Sequence, residues 1–412
     1  MKEYVAKRSR KGISKTDIIA INTMAKKDAY DGNKVINASI GTFLDSDKQV
    51  GAVKLVKDAL NDHIVESLGY PGVLGDNKYL NAVMKYIFKD KLDTINSLYT
   101  PFIGGTMGGT GAISLAFNIF LEEGDVVLLP DVNWTNYKLI AEKAHATCMT
   151  YNMFTKDGGL DIESIKETIQ KARESHQRVL LVINDPCHNP TGYCMDEKEY
   201  DELFTILNEE GKKGYLVTLF DIAYISFYHV EGHQCNLINK LSEAKTNFLS
   251  LICFSCSKLF GLYGLRLGAL VALTQTQEAE NEVSRAFGAC ARGTYSVPVG
   301  TAEHAVAVVL SDEKLTQELE NEVLANSDEL YVRSKAILEE LDKAGIEYYP
   351  YKSGFFITLK IDHAFEIYEA LIKRHMYVVP MSESTIRLAI SGMTKEEVVT
   401  LTQEVAKVQK EL

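Results

Sequence analysis

The stretch that decides the fold runs from Phe254 to Leu270 and reads FSCSKLFGLYGLRLGAL. It has the pattern of a buried strand end followed by an apolar loop broken by glycines. Two cations, Lys258 and Arg266, lie in this loop with few polar neighbours except serines. Because a charge in apolar surroundings is costly unless it is paired, each cation needs a fixed partner. The stretch therefore predicts a bound anion, a covalent attachment, or both.

The composition indicates a large globular protein. The chain has 412 residues, of which 46% are hydrophobic and 24% charged, and this length suggests two or three domain-sized units. The net charge of −12 argues against a general nucleic-acid or anionic-membrane binder, because such proteins need a basic surface. No signal peptide and no apolar run near the roughly 20 residues of a spanning helix is present, so we expect a cytoplasmic protein.

The cysteines and histidines do not form a recognisable metal site. Seven scattered cysteines, an odd number, fit reduced thiols in a reducing compartment. Cys253 and Cys256 have CxxC spacing, but residues three apart on a strand point to opposite faces, which disfavours a shared metal or disulfide. In the pair His229 and His233, Glu231 does not occupy the position that an HExxH zinc site requires. We predict no metal.

The pattern of apolar and charged residues changes after about residue 311. Between about residues 100 and 275, continuously apolar runs alternate with helix-like stretches such as residues 111–125, which predicts a largely parallel sheet covered on both faces. A long helix capped by Ser311 and Asp312 then leads to about Ala344, followed by a smaller α+β unit. We expect an N-terminal arm and part of the small domain over 1–50, a large domain over 51–320, and a small C-terminal domain over 321–412. The predicted strands are DVVLLP (125–130), RVLLVIND (178–185), YLVTLFD (215–221), FLSLICFS (248–255) and LGALVAL (267–273).

Chemically capable residues follow four of these runs. Trp134, Asn189, Asp221 and Lys258 each come at or after the end of a different predicted strand. Any one of them alone is explained as a packed tryptophan, a turn asparagine, a helix-capping aspartate or a surface lysine. Parallel sheets bind ligands beyond the carboxyl ends of their strands, however, so the sheet can gather all four at one edge.

A phosphate-binding loop precedes them. GGTGA, residues 108–112, opens a predicted helix, and exposed backbone N–H groups at a helix start favour an anion. The loop is not a Walker A motif, since no GK[ST] follows, nor a GxGxxG motif, since Ser114 replaces the third glycine. A lysine, an aspartate, a flat ring and a phosphate loop together match pyridoxal phosphate.

These residues resemble the class I, fold-type I aminotransferases, nearest to the aspartate and aromatic branch. The most specific match is the run from Ser255 to Gly268 around Lys258, which fits the family's lysine signature. His188–Gly192 reads HNPTG, Asp221 to Tyr224 resembles D-x-A-Y, and GGTGA resembles the phosphate loop, with Gly108 where a serine is usual. The resemblance implies an α/β fold: a large domain with a mostly parallel seven-stranded sheet between helices, and a smaller α+β domain.

The resemblance also implies residue roles. Lys258, with Asp221 and Tyr224, would form the catalytic group: the lysine would hold pyridoxal 5'-phosphate in an imine link and shuttle a proton, while Asp221 would pair with the ring nitrogen. The other implied cofactor contacts are Asn189 and Tyr224 to the phenolic oxygen, Trp134 stacked on the ring, Gly109, Thr110, Ser255 and Arg266 to the phosphate, and Tyr70 to the phosphate across a dimer interface.

The substrate residues come from the same resemblance. Arg387 would clamp the α-carboxylate; Ile386, Leu388 and Ile390 are predicted to share the opposite face of its strand. Gly41 and Phe356 would line this pocket. Arg292, contributed by the neighbouring subunit, would bind the distal carboxylate of a dicarboxylic substrate.

We therefore expect a homodimeric aminotransferase that transfers the amino group of aspartate, or of an aromatic amino acid, to 2-oxoglutarate by a ping-pong mechanism. Gly108 and the pair Gly293 and Thr294 depart from the strictest aspartate enzymes, so aromatic or broad specificity stays open. The alternative is a β-lyase, a decarboxylase or an aminocyclopropane-carboxylate synthase-like enzyme on the same fold. A non-catalytic sensor is disfavoured, because only the short basic stretch from Lys7 to Lys15 precedes the fold.

Overall fold

The computed structural model describes residues 17–65, 68–229 and 235–412, and the chain divides into two compact units. The larger unit comprises residues 50–328 and 352–354. The smaller unit comprises 17–49, 329–351 and 355–412 within the described ranges. The basic stretch from Lys7 to Lys15, and the residues Glu231 and His233 weighed above for zinc, lie outside the described residues.

The helices, in chain order, are α1 (Ile18–Tyr30), α2 (Lys54–Asp62), α3 (Asn77–Phe88), α4 (Leu92–Leu98), α5 (Gly108–Phe120), α6 (Asn136–Lys143), α7 (Ile162–Arg173), α8 (Glu197–Gly211), α9 (Leu237–Glu243), α10 (Cys256–Leu259), α11 (Gln277–Thr294), α12 (Gly300–Leu310), α13 (Glu313–Ala344), α14 (Ala364–Ile372) and α15 (Lys395–Glu411). The strands are β1 (Ile36–Asn37), β2 (Thr100–Met107), β3 (Val126–Pro130), β4 (Thr147–Tyr151), β5 (Val179–Asn184), β6 (Leu216–Asp221), β7 (Leu249–Ser255), β8 (Leu267–Thr274), β9 (Glu347–Tyr348), β10 (Phe356–Lys360), β11 (Met376–Tyr377), β12 (Val379–Ser382) and β13 (Thr385–Ala389). Among the described residues, no helix is long and apolar enough to cross a membrane.

The larger unit is built on a seven-stranded sheet with the strand order β2–β8–β7–β6–β5–β3–β4. β8 is antiparallel to both of its neighbours, and the other pairs are parallel. Every residue of β3, β5, β6 and β8 is buried. Successive residues of β3 alternate between two core clusters, as expected of a strand covered on both faces. The α/β fold with a mostly parallel seven-stranded sheet is confirmed.

Of the two helices predicted with bounds, one differs from the structure and one agrees with it. The helix predicted over residues 111–125 begins at Gly108 and ends at Phe120. It ends there because Leu121 is extended and the next residues turn: the Glu122 N–H donates to the Asp125 carboxylate (2.8 Å), and Gly124 has a φ of +88°. The long helix α13 starts as its cap residues predict, since Asp312 accepts a hydrogen bond from the Leu315 N–H (2.9 Å).

The smaller unit contains a four-stranded antiparallel sheet of order β12–β13–β10–β9 and a parallel pair of β1 and β11. Arg387 lies at the centre of β13, opposite Thr358 of β10. The prediction that Ile390 shares the strand face of Ile386 and Leu388 was wrong, because β13 ends at Ala389 and a 3₁₀ turn begins at Ile390. The Ile390 N–H donates to the Phe355 carbonyl (2.9 Å), which fixes this turn against β10.

Candidate active site

The sheet of the larger unit places several predicted residues at one edge. β5, β6 and β7 are parallel and in register, with Asn184 opposite Asp221 and Asp221 opposite Cys253. β5 and β6 therefore end at the same level, β7 continues for two more residues, and the segments that follow them start at one edge of the sheet. Asp221 is the last residue of β6, and Ser255 is the last residue of β7.

Lys258 lies in α10, the single turn of helix that follows β7. Ser255 begins this turn, since its hydroxyl accepts a hydrogen bond from the Ser257 N–H (3.3 Å). The Lys258 Nζ lies 4.8 Å from the centre of the Tyr263 ring and 5.9 Å from that of Tyr224. Tyr224 comes three residues after β6, so the structure brings together the lysine and the tyrosine predicted to act with it.

Asp221 is a buried carboxylate held by two hydrogen bonds. Its Oδ2 accepts from the Tyr137 hydroxyl (2.6 Å) and its Oδ1 from the Ala223 N–H (3.2 Å). Burial raises the pKa of Asp221, and the two hydrogen bonds act in the opposite direction. A cation next to this carboxylate would offset the free-energy cost of burying its charge. The protonated nitrogen of an aromatic ring is such a cation.

Tyr137 is a site residue that the sequence analysis missed. It lies in the first turn of α6, and its ring meets that of Trp134 edge to face, with centroids 5.2 Å apart. The signal available in the sequence was its spacing, three residues after Trp134, which places both rings on one side of a helix start. Trp134 itself is half-buried after β3, as predicted from its position.

Asn189 is fixed in the loop after β5. Its N–H donates to the Asn184 Oδ1 (2.8 Å), and the Asn184 amide in turn donates to the Asp221 carbonyl (2.9 Å). Asn184 therefore ties this loop to the end of β6. His188 is buried and contacts the Thr191 hydroxyl (2.9 Å), and burial lowers its pKa to about 3. His188 is thus a neutral ring that shapes the loop.

The predicted phosphate loop begins helix α5 beside Arg266. Gly108 has a φ of +69°, and a Cβ there would lie 2.6 Å from the Arg266 Nη2, so only glycine allows this approach. Arg266 donates to the Ser257 hydroxyl (2.9 Å) and to the Tyr263 carbonyl (3.0 Å). No carboxylate in the described part of the chain pairs with it, and burial lowers its pKa. Gly109 packs against Ser255.

These residues fit pyridoxal phosphate by the chemistry of the groups they supply. Arg266, the hydroxyls of Ser255 and Thr110, and the N–H groups at the start of α5 would hold the phosphate. Asp221 would hold the ring nitrogen, and Lys258 would hold the aldehyde. The remaining ring contacts would come from Trp134, Asn189 and Tyr224.

The predicted substrate residues Gly41, Phe356 and Arg387 lie in the smaller unit. Arg387 is 2% exposed, its guanidinium carbon lies 4.6 Å from the centre of the Phe356 ring, and it donates to the Ser39 carbonyl. A Cβ at Gly41 would overlap the Phe356 ring, so glycine is needed there. The structure therefore assembles these three residues into one buried cluster around a guanidinium.

Tyr70 and Arg292, predicted to act on the neighbouring subunit, are both exposed in the single chain. Tyr70 is 94% exposed, and Arg292 lies in the last turn of α11. The cysteines Cys253 and Cys256 carry free thiols, as do the other five. Among the described residues, no group of acidic, histidine and cysteine side chains could hold a metal.

Known proteins of similar sequence and structure are aminotransferases. The chain is 26% identical over 336 residues to the aromatic-amino-acid aminotransferase of Escherichia coli, covering 78% of this chain and 81% of that protein. It is 24% identical over 393 residues to the mitochondrial aspartate aminotransferase of Saccharomyces cerevisiae, covering 87% of this chain and 84% of that protein. An aminotransferase structure from Anaerococcus prevotii superposes with a TM-score of 0.89 at 28% identity, covering 98% of this chain and 99% of that one.

The family of the chain follows from a match to a model of the family as a whole. Residues 33–405, nearly the entire chain, match the family described as aminotransferase class I and II. This range includes both the lysine signature in the larger unit and the arginine strand in the smaller one. The chain therefore belongs to the aminotransferase class I and II family, the pyridoxal-phosphate-dependent enzymes of fold type I.

Proposed function

We propose that this enzyme transfers the amino group of aspartate, or of an aromatic amino acid, to 2-oxoglutarate. The observation that supports this most directly is the edge of the seven-stranded sheet, where Lys258 lies beside Tyr224, and Asp221 ends the neighbouring strand. The similarity to aspartate and aromatic aminotransferases supports the two donor classes equally.

The bound cofactor supplies an aromatic ring that accepts the electron pair left when the α-proton departs. The chain supplies the proton transfers. Asp221 keeps a proton on the ring nitrogen, because a buried carboxylate is stabilised by a cation beside it. With pyridoxal phosphate bound, the Lys258 Nζ would be the general base that takes the substrate α-proton, and it would hold this proton and later give it back.

One amine serves both halves of this reaction. The donor leaves as its 2-oxo acid before the acceptor binds, and Lys258 then acts in reverse on the acceptor. This order predicts ping-pong kinetics. Double-reciprocal plots of the initial rate against the donor concentration, made at several acceptor concentrations, should then be parallel.

The substrate preference rests on two arginines. Arg387, buried over the Phe356 ring, would bind the α-carboxylate of every substrate through a two-pronged pair. Arg292 of the partner subunit would bind the distal carboxylate of aspartate or 2-oxoglutarate. Its position in the exposed last turn of α11 leaves it accessible to a neighbouring subunit.

A homodimer in the cytoplasm is part of the proposal. Four large apolar side chains are exposed close together in sequence: Ile64, Val65, Leu68 and Tyr70, at 47–94%. An exposed apolar patch of this kind marks an interaction surface. The seven free thiols fit a reducing compartment.

Substitution of Lys258 tests this function. Lys258→Ala should lower glutamate formation from 2-oxoglutarate and aspartate, phenylalanine or tyrosine by roughly 10³-fold or more, because both proton transfers lose their base. Lys245→Ala, which changes an exposed lysine elsewhere in the same unit, is the control and should leave the rate unchanged.

The same assay separates the alternative. Release of ammonia or carbon dioxide without glutamate would identify a β-lyase or a decarboxylase. Near-normal glutamate formation by Lys258→Ala would contradict the assigned role of this lysine.

A further inference from the structure

A glutamate far from the reacting atoms has an unusual environment. Glu303 lies in the first turn of α12, and its side chain is 0% exposed. Its Oε2 accepts a hydrogen bond from the Asp76 N–H (2.9 Å). Its Oε1 has no hydrogen-bond partner among the described residues. A buried carboxyl with an unsatisfied oxygen is costly, so its position calls for a function.

Two glycines make room for this oxygen. A Cβ on Gly75, whose φ is +112°, would lie 2.8 Å from the Glu303 Oε1, and a Cβ on Gly105 would overlap it. The Gly105 N–H donates to the Leu74 carbonyl (2.7 Å), so these two glycine segments are also bonded to each other. The carboxyl group is therefore enclosed by backbone from two distant parts of the sequence.

A third segment closes the enclosure. The Tyr295 hydroxyl donates to the Gly105 carbonyl (3.3 Å), and a Cβ on Gly105 would lie 3.4 Å from Pro298. The Tyr295–Pro298 segment directly follows Arg292 and leads into α12 itself. Glu303 thus lies where three segments meet.

Each of these segments leads to a residue of the candidate active site. The Gly75 segment carries Tyr70, five residues earlier, and β2 runs from Gly105 directly into the phosphate loop at Gly108. The Tyr295 segment carries Arg292. Glu303 therefore contacts the supports of the phosphate loop of its own subunit and of both residues assigned to the partner's site.

The groups facing Glu303 add no positive charge. They are Asp76 at the start of α3, Tyr79 within α3, Cys256 in α10 and Tyr295 after α11. From α2, His63 contacts the next residue of α12, His304, with ring centroids 5.7 Å apart. Burial raises the pKa of Glu303 to about 8; the hydrogen bond from the Asp76 N–H acts in the opposite direction, and repulsion from the Asp76 carboxylate adds a smaller increase.

We propose that Glu303 is a positioning residue which, as a neutral carboxylic acid, holds the Tyr70 segment and the end of β2 together, and whose ionisation loosens the phosphate loop. This rests on the proposed function, because it assumes that the loop at Gly108 binds the cofactor phosphate. When Glu303 loses its proton, a negative charge lies against two backbone segments, and only one N–H group donates to it. Because a buried charge with so few partners is costly, the segments separate or admit water.

Glu303→Gln separates ionisation from shape. Glutamine keeps the size of the side chain and an oxygen for the Asp76 N–H, but it cannot lose a proton. Equilibrium binding of pyridoxal phosphate to the cofactor-free enzyme, followed by cofactor absorbance from about pH 6.5 to about pH 9.5, should show wild-type affinity falling about tenfold more than that of Glu303→Gln. Glu210→Gln, which changes another glutamate of this unit that is fully buried, should keep the wild-type profile.

A second measurement does not need the cofactor. The folded pKa of Glu303 exceeds its unfolded value of 4.5, so its stabilising contribution is complete below pH 4.5 and is lost as the pH rises to about 8. The melting temperature of Glu303→Gln should therefore rise above that of the wild type by about 2–4 °C at pH 8, and the difference should shrink toward pH 5.

The outcomes separate the two proposals. Parallel binding profiles for wild type and Glu303→Gln would overturn the role of Glu303 while leaving the proposed function intact. A wild-type chain that binds no pyridoxal phosphate at pH 7 would overturn the proposed function itself. A melting difference without a binding difference would make Glu303 a structural residue only, and it too would overturn this inference.

Discussion

At the scale of single residues, the Tyr137 hydroxyl is the strongest neutral partner of Asp221, at 2.6 Å. Tyr137→Phe removes it, so the pKa of Asp221 rises further and the carboxylate takes the proton that the ring nitrogen needs. A hydrogen bond to a charged group contributes about 1.5–3 kcal/mol, so we expect kcat to fall by about tenfold or more. Steady-state kinetics and the pH dependence of the cofactor absorbance check this.

Tyr151→Phe is the matched control for that prediction. Tyr151 is also a buried tyrosine, at the end of β4 in the same sheet, but its hydroxyl donates to the Val182 carbonyl (3.3 Å) instead of to a site residue. It should change stability without changing the cofactor spectrum. A kcat for Tyr137→Phe within twofold of the wild type would show that the burial of Asp221 alone sets its protonation.

Site residues could be identified from the sequence where their position relative to a strand marks them. Those that matter only through contact with a distant residue were missed. Lys258 and Asp221 were found because each follows an apolar run at the edge of a parallel sheet. Tyr137 lies in the amphipathic helix α6, where a tyrosine is ordinary, and Glu303 lies in the first turn of α12, where an acidic residue is ordinary. Their importance comes from Asp221 and Gly105, 84 and 198 positions away in the chain, and only the folded structure brings these pairs together.

At the scale of elements, the phosphate loop depends on a close approach of β8 to β7. A Cβ on Gly268 would lie 2.6 Å from the Phe254 carbonyl oxygen and 2.7 Å from the carbonyl carbon of Gly108. Gly268→Ala must therefore displace backbone, which costs about 1–3 kcal/mol of folding free energy and moves the loop. We expect weaker cofactor binding and a lower midpoint in urea unfolding.

Gly264→Ala provides the comparison for Gly268→Ala within the same lysine signature. Nothing lies within 4 Å of a Cβ at Gly264, and its φ is not in the left-handed region, so the change should be nearly neutral. If both substitutions changed cofactor binding and the urea midpoint equally, the close packing of β8 would not be the reason that glycine is needed at position 268.

The elements that the sequence predicted are those with a continuous apolar run. β5 and β6 were placed to within one residue at each end because all their residues are buried. β4 was missed because it is an edge strand with exposed and half-buried residues, and its sequence TCMTY contains no apolar run. β2 was missed because it contains two glycines, which leave room for Phe287 and Glu303 and which normally indicate a loop.

At the scale of the whole molecule, the two units differ in sequence pattern and contain different groups of predicted site residues. The cofactor residues predicted within one subunit lie in the larger unit, and the cluster around Arg387, which we propose binds the substrate carboxylate, lies in the smaller one. The sequence indicated this division near residue 311, where continuously apolar runs give way to a long charged helix. The proposed dimer left a weaker signal, because exposed apolar residues such as Val65, Leu68 and Tyr70 interrupt no pattern of secondary structure.

Shared active sites can be tested by mixing two inactive chains. Lys258→Ala keeps Arg292 intact, and Arg292→Asp keeps Lys258 intact, so a hybrid dimer contains one site with both groups if Arg292 acts on the partner. Random mixing makes half of the dimers hybrids, each with one of its two sites complete, so activity with aspartate should return to about a quarter of the wild-type value. Co-expression with two affinity tags isolates the hybrid, which should reach about half. Mixing Lys258→Ala with Asp221→Asn is the control: both residues serve their own subunit's site, so no combination restores a complete site and no activity should return. No recovery in the first mixture would place Arg292 in the site of its own chain, and recovery in the control would mean that Lys258 and Asp221 do not serve the same site.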